Sequence, residues 1–327
     1  MHPALSVLFF TTLSGAGYGL LFLLGTGVAL GIWPHLPLEI AMPLAIGLGL
    51  VALGLASSMA HLGQPARAWR AFTQWRTSWL SREGVLAVLG FAPALALGFL
   101  YFTPVEGGMN PPLQRACGAT MALLAVATVY CTAQIYASLK TVPAWHNPYV
   151  TPGYFLFALY SAGLWLWALG AWYRRGDPQF WPQLGLPPGV LFMVVVVAML
   201  ACVQKLLYWR HIDNPPVTAT VESATGLNDV GAVSAFERPH TEENYITREM
   251  VFVLARKHST KLRAIALLFA FALPLAALVF AMLWVPTSFV LATVALVSAS
   301  VGIFVERWLF FAEARHVVSL YYGEQKA

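Results

Sequence analysis

Eight apolar runs, each about as long as the hydrocarbon layer of a bilayer is thick, leave this chain few folds to adopt. They cover Ala4–Trp33, Leu38–Ala60, Gly84–Phe102, Leu113–Leu139, Gly153–Trp172, Gly189–Trp209, Leu262–Trp284 and Ser288–Phe310. A helix of ~20 apolar residues crosses ~30 Å of hydrocarbon. The runs lack the alternation of apolar and polar residues that a membrane β-barrel needs, so helices must satisfy the backbone. With 59% hydrophobic and 10% charged residues, there is more apolar side chain than a water-soluble domain can hide. The expected fold is an all-α integral membrane protein, a bundle of eight transmembrane helices forming one domain over 1–327. The first run has no Lys or Arg before it and far exceeds the ~7–15-residue core of a cleavable signal, so it is expected to stay as the first span.

Charge fixes the expected orientation. With eight crossings, both termini and the even-numbered connections share one side. Of the 19 Lys and Arg residues, only Arg115, Arg174 and Arg175 fall on the other. The positive-inside bias then places both termini in the cytoplasm, although part of the excess lies in a long loop, where the bias weakens. That loop, 210–261, is the one long polar connection. Its first half is rich in Pro, Gly and Thr and has no helical period. Its second half has Thr241 as an N-cap, Glu242 and Glu243 in the first turn, and an apolar stripe of Ile246, Met250, Val253 and Leu254. A connection of this length in a compact helical protein points to function, here to docking.

The segment 61–83, HLGQPARAWRAFTQWRTSWLSRE, concentrates a histidine, four arginines, three tryptophans and a glutamate between two apolar runs. After Pro65 it reads as a short interfacial helix with Trp69, Phe72 and Arg76 on one face. Tryptophans beside arginines make a headgroup-level anchor, which accounts for most of these side chains. His61 and Glu83 sit at the facing ends of the second and third spans, and each has an ordinary explanation alone: an interfacial residue, and an acid in a first helical turn. As a pair they suit quinone chemistry. A quinone oxygen needs a proton donor as it is reduced, and a quinol hydroxyl needs a base.

Other chemistry finds less support. Cys117, Cys131 and Cys202 lie in apolar runs without CxxC spacing, and the eight histidines lie in connections or at helix ends, so neither a metal site nor a haem or iron–sulfur cluster is expected in this protein. Small residues in the first two runs (Ser14, Gly15, Gly17, Gly19; Gly47, Gly49, Gly54) serve close helix approach, or else a slot for a flat ring. Ionisable residues look absent from mid-span positions, with Glu306 and Arg307 near the end of the eighth span. A transporter would be expected to carry them at the midplane.

The stretches HPALSVLFFTTLSGAGYG, HLGQPARAWRAF, SWLSREG and YASLKTVPAWHNP resemble the membrane-anchor subunits of dimethyl-sulfoxide-reductase-type molybdoenzymes. The loop sequences SATGL, RPHTEENY and ARKH resemble the branch serving cytoplasmic sulfite dehydrogenase. The resemblance implies a bacterial inner-membrane subunit partnered by an iron–sulfur subunit and a molybdopterin catalytic subunit, with membrane lipid around it and no nucleic acid. It implies electron exchange with ubiquinone or menaquinone. By the same resemblance His61 and Glu83 are the quinone-reactive pair. Gly63, Arg67, Arg70, Trp79 and Arg82 are placed around them, the arginines shaping an electropositive mouth. Loop 210–261 would dock the iron–sulfur subunit on the cytoplasmic face. The protein would hold the quinone redox site alone and lack the catalytic metal centre. The alternatives are a quinol-oxidising anchor of an S- or N-oxide reductase, a purely structural tether and a multi-pass transporter. The topology predicts that a reporter active only in the periplasm is silent when fused after Ala327; strong activity there would reverse the orientation.

Overall fold

The computed structural model describes residues 4–33, 37–60, 62–102, 111–179, 183–214, 220–233 and 254–322. Among them, eight helices are long and apolar enough to cross a membrane, and no strand occurs. The spans are α1 (Leu5–Leu30), α2 (Pro37–Met59), α3 (Trp79–Phe102), α4 (Pro111–Ala137), α5 (Val150–Tyr173) and α6 (Pro188–Asp213). A short helix, α7 (Val221–Thr225), precedes the seventh span, which is built from α8 (Leu254–Leu267), a π-helical turn (Leu268–Ala272) and α9 (Leu273–Leu283). The eighth is α10 (Ser288–Ala312).

The expected spans are all present, with two ends displaced in ways that matter. Helix α3 begins at Trp79 rather than Gly84, and the chain is already helical at Leu254, where the described residues resume, rather than from Leu262. The first half of the long loop, expected to be without helix, contains α7. Its Thr220 hydroxyl accepts from the Ser223 amide, and Gly226 closes it in the left-handed conformation. The Tyr321 hydroxyl donates to the Ala224 carbonyl (2.8 Å), tying this loop to the C-terminal 3₁₀ turn Val317–Tyr322. The expected helix from Thr241 through His258 lies outside the described residues as far as Val253; its last turn, from Leu254, is helical.

Helix α1 is the axis of the bundle. It packs against α2, α4, α5 and α10, and 61% of its apolar window is buried. Helix α3 lies at the edge, packed mainly on α4, with 17% buried. Its Leu89, Leu95 and Phe99 point outward, as suits side chains solvated by lipid tails. Burying apolar surface gives little drive between helices in lipid, so close backbone approach and internal hydrogen bonds do more of the work.

The π turn shows this. Inserting one extra residue frees backbone carbonyls from the helical ladder. Two side chains take them up: the Tyr160 hydroxyl donates to Ala270 O (2.5 Å) and the Ser298 hydroxyl to Phe269 O (2.8 Å). Gly302 of α10 lies against the same turn, where a Cβ would overlap the Ala270 amide. Tyr160→Phe is therefore expected to cost ~1 kcal/mol by leaving one carbonyl unpaired. Gly302→Val should cost more, ~3 kcal/mol or above, through overpacking. Thermal unfolding in detergent checks both, and equal midpoints for the two variants would contradict this account.

Candidate functional site

The polar segment between α2 and α3 folds as a 3₁₀ helix, Pro65–Gln74, rather than the expected α-helix. Three residues per turn align Trp69, Phe72 and Trp75, where an α-helix would have paired Trp69 and Phe72 with Arg76. These rings are 60%, 40% and 53% exposed, and the segment buries no residue. It is fastened to the first turn of α3. The Ser81 hydroxyl donates to the Ala71 carbonyl, and Arg82 donates to the carbonyls of Trp75 (3.0 Å) and Arg76 (2.6 Å). The Arg82 guanidinium also lies 4.3 Å from the centre of the Trp79 ring, which meets Tyr130 edge-on. Gly84 lets the Phe72 ring close down on α3, since a Cβ there would stand 3.1 Å from it.

The early start of α3 changes the surroundings of Glu83. As the fifth residue of the helix it sits ~6 Å below its start and points into the bundle, 3% exposed. Its carboxylate is within hydrogen-bond reach of the Thr132 hydroxyl on α4. That hydroxyl oxygen is also 3.0 Å from the Thr128 carbonyl. A hydroxyl has one proton to give, and a carbonyl can only accept. With an ionised Glu83, Thr132 donates to the carboxylate. With a protonated Glu83, the acid donates to Thr132, which donates onward to Thr128. Both protonation states are thus satisfied without moving a heavy atom.

Thr132 also lines a cleft between α1, α4, α5 and α10. The cleft has about 400 Å³ of empty space when the part open to the outside is counted; its enclosed part is water-sized. Thr11, Thr12, Ser14 and Ser161 line it with hydroxyls already bonded to carbonyls of their own helices. The hydroxyl of Tyr18 is buried there without a hydrogen-bond partner among the described residues, and that of Tyr154 faces Arg307. Arg307 closes the far wall, its guanidinium 4.2 Å from the Tyr154 ring centre.

Beyond Arg307 lies a buried ion cluster, contrary to the expectation that the spans carry no deep charges. Glu306 Oε1 is 2.5 Å from Lys205 Nζ, and Glu306 Oε2 is 3.3 Å from Arg307 Nε. All three side chains are at most 5% exposed. Lys205 lies ~12 Å below the end of α6 and Glu306 ~9 Å below the end of α10. Closer to the surface, Arg263 makes a two-pronged bond to Asp213 (2.6 and 2.8 Å) and a third to Glu313 (2.9 Å). Burial pushes the Glu313 carboxyl above its ordinary range, and Arg263 pulls it back in part.

The structure therefore divides the expected site. Gly63, Arg67 and Arg70 are exposed at the 3₁₀ segment, Trp79 and Arg82 join that segment to α3, and Glu83 faces the opposite way. Arg82 serves the backbone of the segment rather than a mouth above Glu83. His61 lies outside the described residues. Sequence reasoning did not find Tyr18, Thr132 or the role of Lys205; the available signal was a lysine inside an apolar run, which membrane cost makes informative.

The family model described as the DMSO reductase anchor subunit matches residues 1–313. The chain belongs to that family. It is 34% identical to a sulfite dehydrogenase subunit of Allochromatium vinosum, over 98% of this chain and 99% of that protein. Its likeness to two anaerobic dimethyl sulfoxide reductase chains of Escherichia coli, the first being YnfH, is 32% and 29%, over 34% and 33% of this chain and 38% and 36% of theirs. Full-length similarity on one side and a third on the other agrees with the sulfite-branch resemblance of the loop motifs. This anchor subunit is thus a multi-pass membrane protein whose polar island is pinned by Arg82. In it, Arg82→Ala is expected to loosen the 3₁₀ segment by ~1–2 kcal/mol. Limited trypsin digestion should then cut after Arg67 or Arg70 several-fold faster, with Arg82→Lys in between; wild-type cleavage rates in both would refute the pinning role.

Proposed function

We propose that this anchor subunit exchanges electrons between the quinone pool and an iron–sulfur partner of a molybdopterin enzyme that oxidises sulfite. The observation that carries the reading is the buried Glu83–Thr132–Thr128 arrangement, which holds a carboxyl in either protonation state just inside the membrane, beneath an exposed aromatic and basic segment. Sulfite and water give sulfate, two protons and two electrons at the molybdopterin subunit. The electrons pass through the iron–sulfur subunit, and quinone takes them up with two protons to form quinol. This reading puts the quinone ring at the junction of α2 and α3, within reach of Glu83. His61 donates a hydrogen bond to one ring oxygen, and Glu83 gives or takes the proton. Gly63, Arg67, Arg70 and Trp79 then form the approach and its lipid-facing rim, held in place by Arg82.

The same reading sets the island and loop 210–261 on the cytoplasmic face of a bacterial inner membrane, with the loop docking the iron–sulfur subunit. Full-length similarity to a sulfite dehydrogenase subunit supports the direction of electron flow toward quinone. A quinol-oxidising anchor for an S- or N-oxide reductase would run the same site backwards.

The test uses the assembled complex isolated from its membrane. His61→Ala and Glu83→Gln are each expected to lower quinone-coupled turnover by ~100-fold, the usual scale for losing a general acid or base. Turnover with a water-soluble artificial acceptor should be unchanged. Wild-type quinone-coupled rates with native inhibitor binding in both variants would refute the assignment.

A further inference from the structure

A carboxyl that cycles its proton must be resupplied, and Glu83 is sealed. It is 3% exposed, and the turn above it is closed by Ser81, which is itself buried against the 3₁₀ segment. During turnover the quinone stands on that side as well. The other direction is furnished differently. Thr132, bonded to Glu83, is part of the wall of the cleft. The cleft has room for water, and the Tyr18 hydroxyl, which has no other partner among the described residues, and the Arg307 guanidinium on the far wall can bind it.

Across the cleft, Arg307 leads to Glu306 and Glu306 to Lys205, at 3.3 and 2.5 Å. Arginine stays charged and cannot pass a proton on, so Glu306 and Lys205 are the groups able to do so. Trp209 spans the next step. Its ring centre is 5.1 Å from Lys205 Nζ and 5.3 Å from Arg263 Cζ, and its buried indole N–H has no acceptor among the described residues. Arg263 holds Glu313 at 2.9 Å and Asp213, whose side chain is 50% exposed. Ionisable groups thus run from the interior to the bundle end where α6 and α10 finish. Alternating crossings make that the end from which α3 starts.

We propose that protons travel between Glu83 and the aqueous face through Thr132, the water-holding cleft, Glu306, Lys205 and Glu313. The route rests on the quinone reading above. For each quinone reduced, two electrons arrive from the iron–sulfur partner. Two protons go to the ring oxygens, one from the Glu83 carboxyl and one through the His61 imidazole, and the carboxylate regains its own from the cleft, whose water is restocked through Glu306. Oxidation of quinol runs the transfers in reverse. Arg307 and Arg263 act as positioning residues that hold Glu306 and Glu313 in line.

A buried ion cluster can also be a plain tie between α6 and α10, so the test separates the two roles. In the assembled complex, Glu306→Gln and Glu313→Gln are expected to slow quinone-coupled turnover ~10-fold, less than the ~100-fold or more for losing the acid or base at the reacting ring itself. Artificial-acceptor turnover and quinone-site inhibitor affinity should stay the same. The solvent deuterium isotope effect should rise, and millimolar amounts of a small permeant weak acid should restore part of the rate. The double variant Lys205→Met/Glu306→Gln removes both proton carriers at nearly constant size and leaves Arg307 an amide oxygen as acceptor. It should assemble and show the same defect. Wild-type quinone-coupled rates in Glu313→Gln or the double variant would overturn the route, as would a slowed rate with no change in isotope effect and no rescue. If Glu83→Gln alone is silent, the quinone reading fails; if Glu83→Gln is slow and the Glu306 and Glu313 variants are not, only the route fails.

Discussion

Hydrocarbon offers a polar group no partner, and this one condition shapes nearly every feature of the bundle. A buried donor or acceptor left alone in lipid costs several kcal/mol, so each span must answer for its own backbone and side chains. The π turn in the seventh span is tolerated because Tyr160 and Ser298 meet its freed carbonyls. Helix hydroxyls at Thr11, Thr12, Ser14 and Ser161 bond the turn before them. Under this pressure a buried ionisable group stands out. Glu83, Lys205, Glu306 and Arg307 carry a cost that scaffold alone does not require: Arg307 lines the cleft, Glu83 bonds Thr132 of its wall, and Glu306 joins Arg307 to Lys205.

The island between α2 and α3 follows the opposite logic. It lies outside the bundle, exposes three aromatic rings, and draws its order from Ser81 and Arg82 at the start of α3. One turn of α3 therefore does two jobs on two faces. Ser81 and Arg82 clamp the surface segment, while Glu83 turns inward to Thr132. Consecutive residues of a single turn thus position both the surface segment and the buried acid.

Much of this was legible in the amino-acid order. The spans follow from hydropathy, and the weight given to 61–83 follows from its density of charged and aromatic residues. The account of individual residues there was less complete. Arg82 read as part of a mouth, yet its guanidinium caps backbone carbonyls, because α3 starts five residues earlier than the apolar run does. The 3₁₀ geometry brought Trp75 rather than Arg76 into line with Trp69 and Phe72, a difference of pitch that composition does not reveal. Lys205 read as one more basic residue near a helix end. Only its pairing with Glu306, a hundred residues later, shows it to be buried.

Sequence by itself determined the membrane class, the number of crossings and the stretch where chemistry concentrates. These depend on local content: a run of apolar residues is a span whatever its neighbours, since lipid accepts it alone. Tertiary structure alone decided what Glu83 touches, where the cleft lies and which charges pair. Those contacts join residues far apart in sequence, such as Glu83 with Thr132 and Lys205 with Glu306. They are set by how α1, α4, α5 and α10 rotate against one another. Side-chain packing at close backbone approaches fixes that rotation, and no single span encodes it.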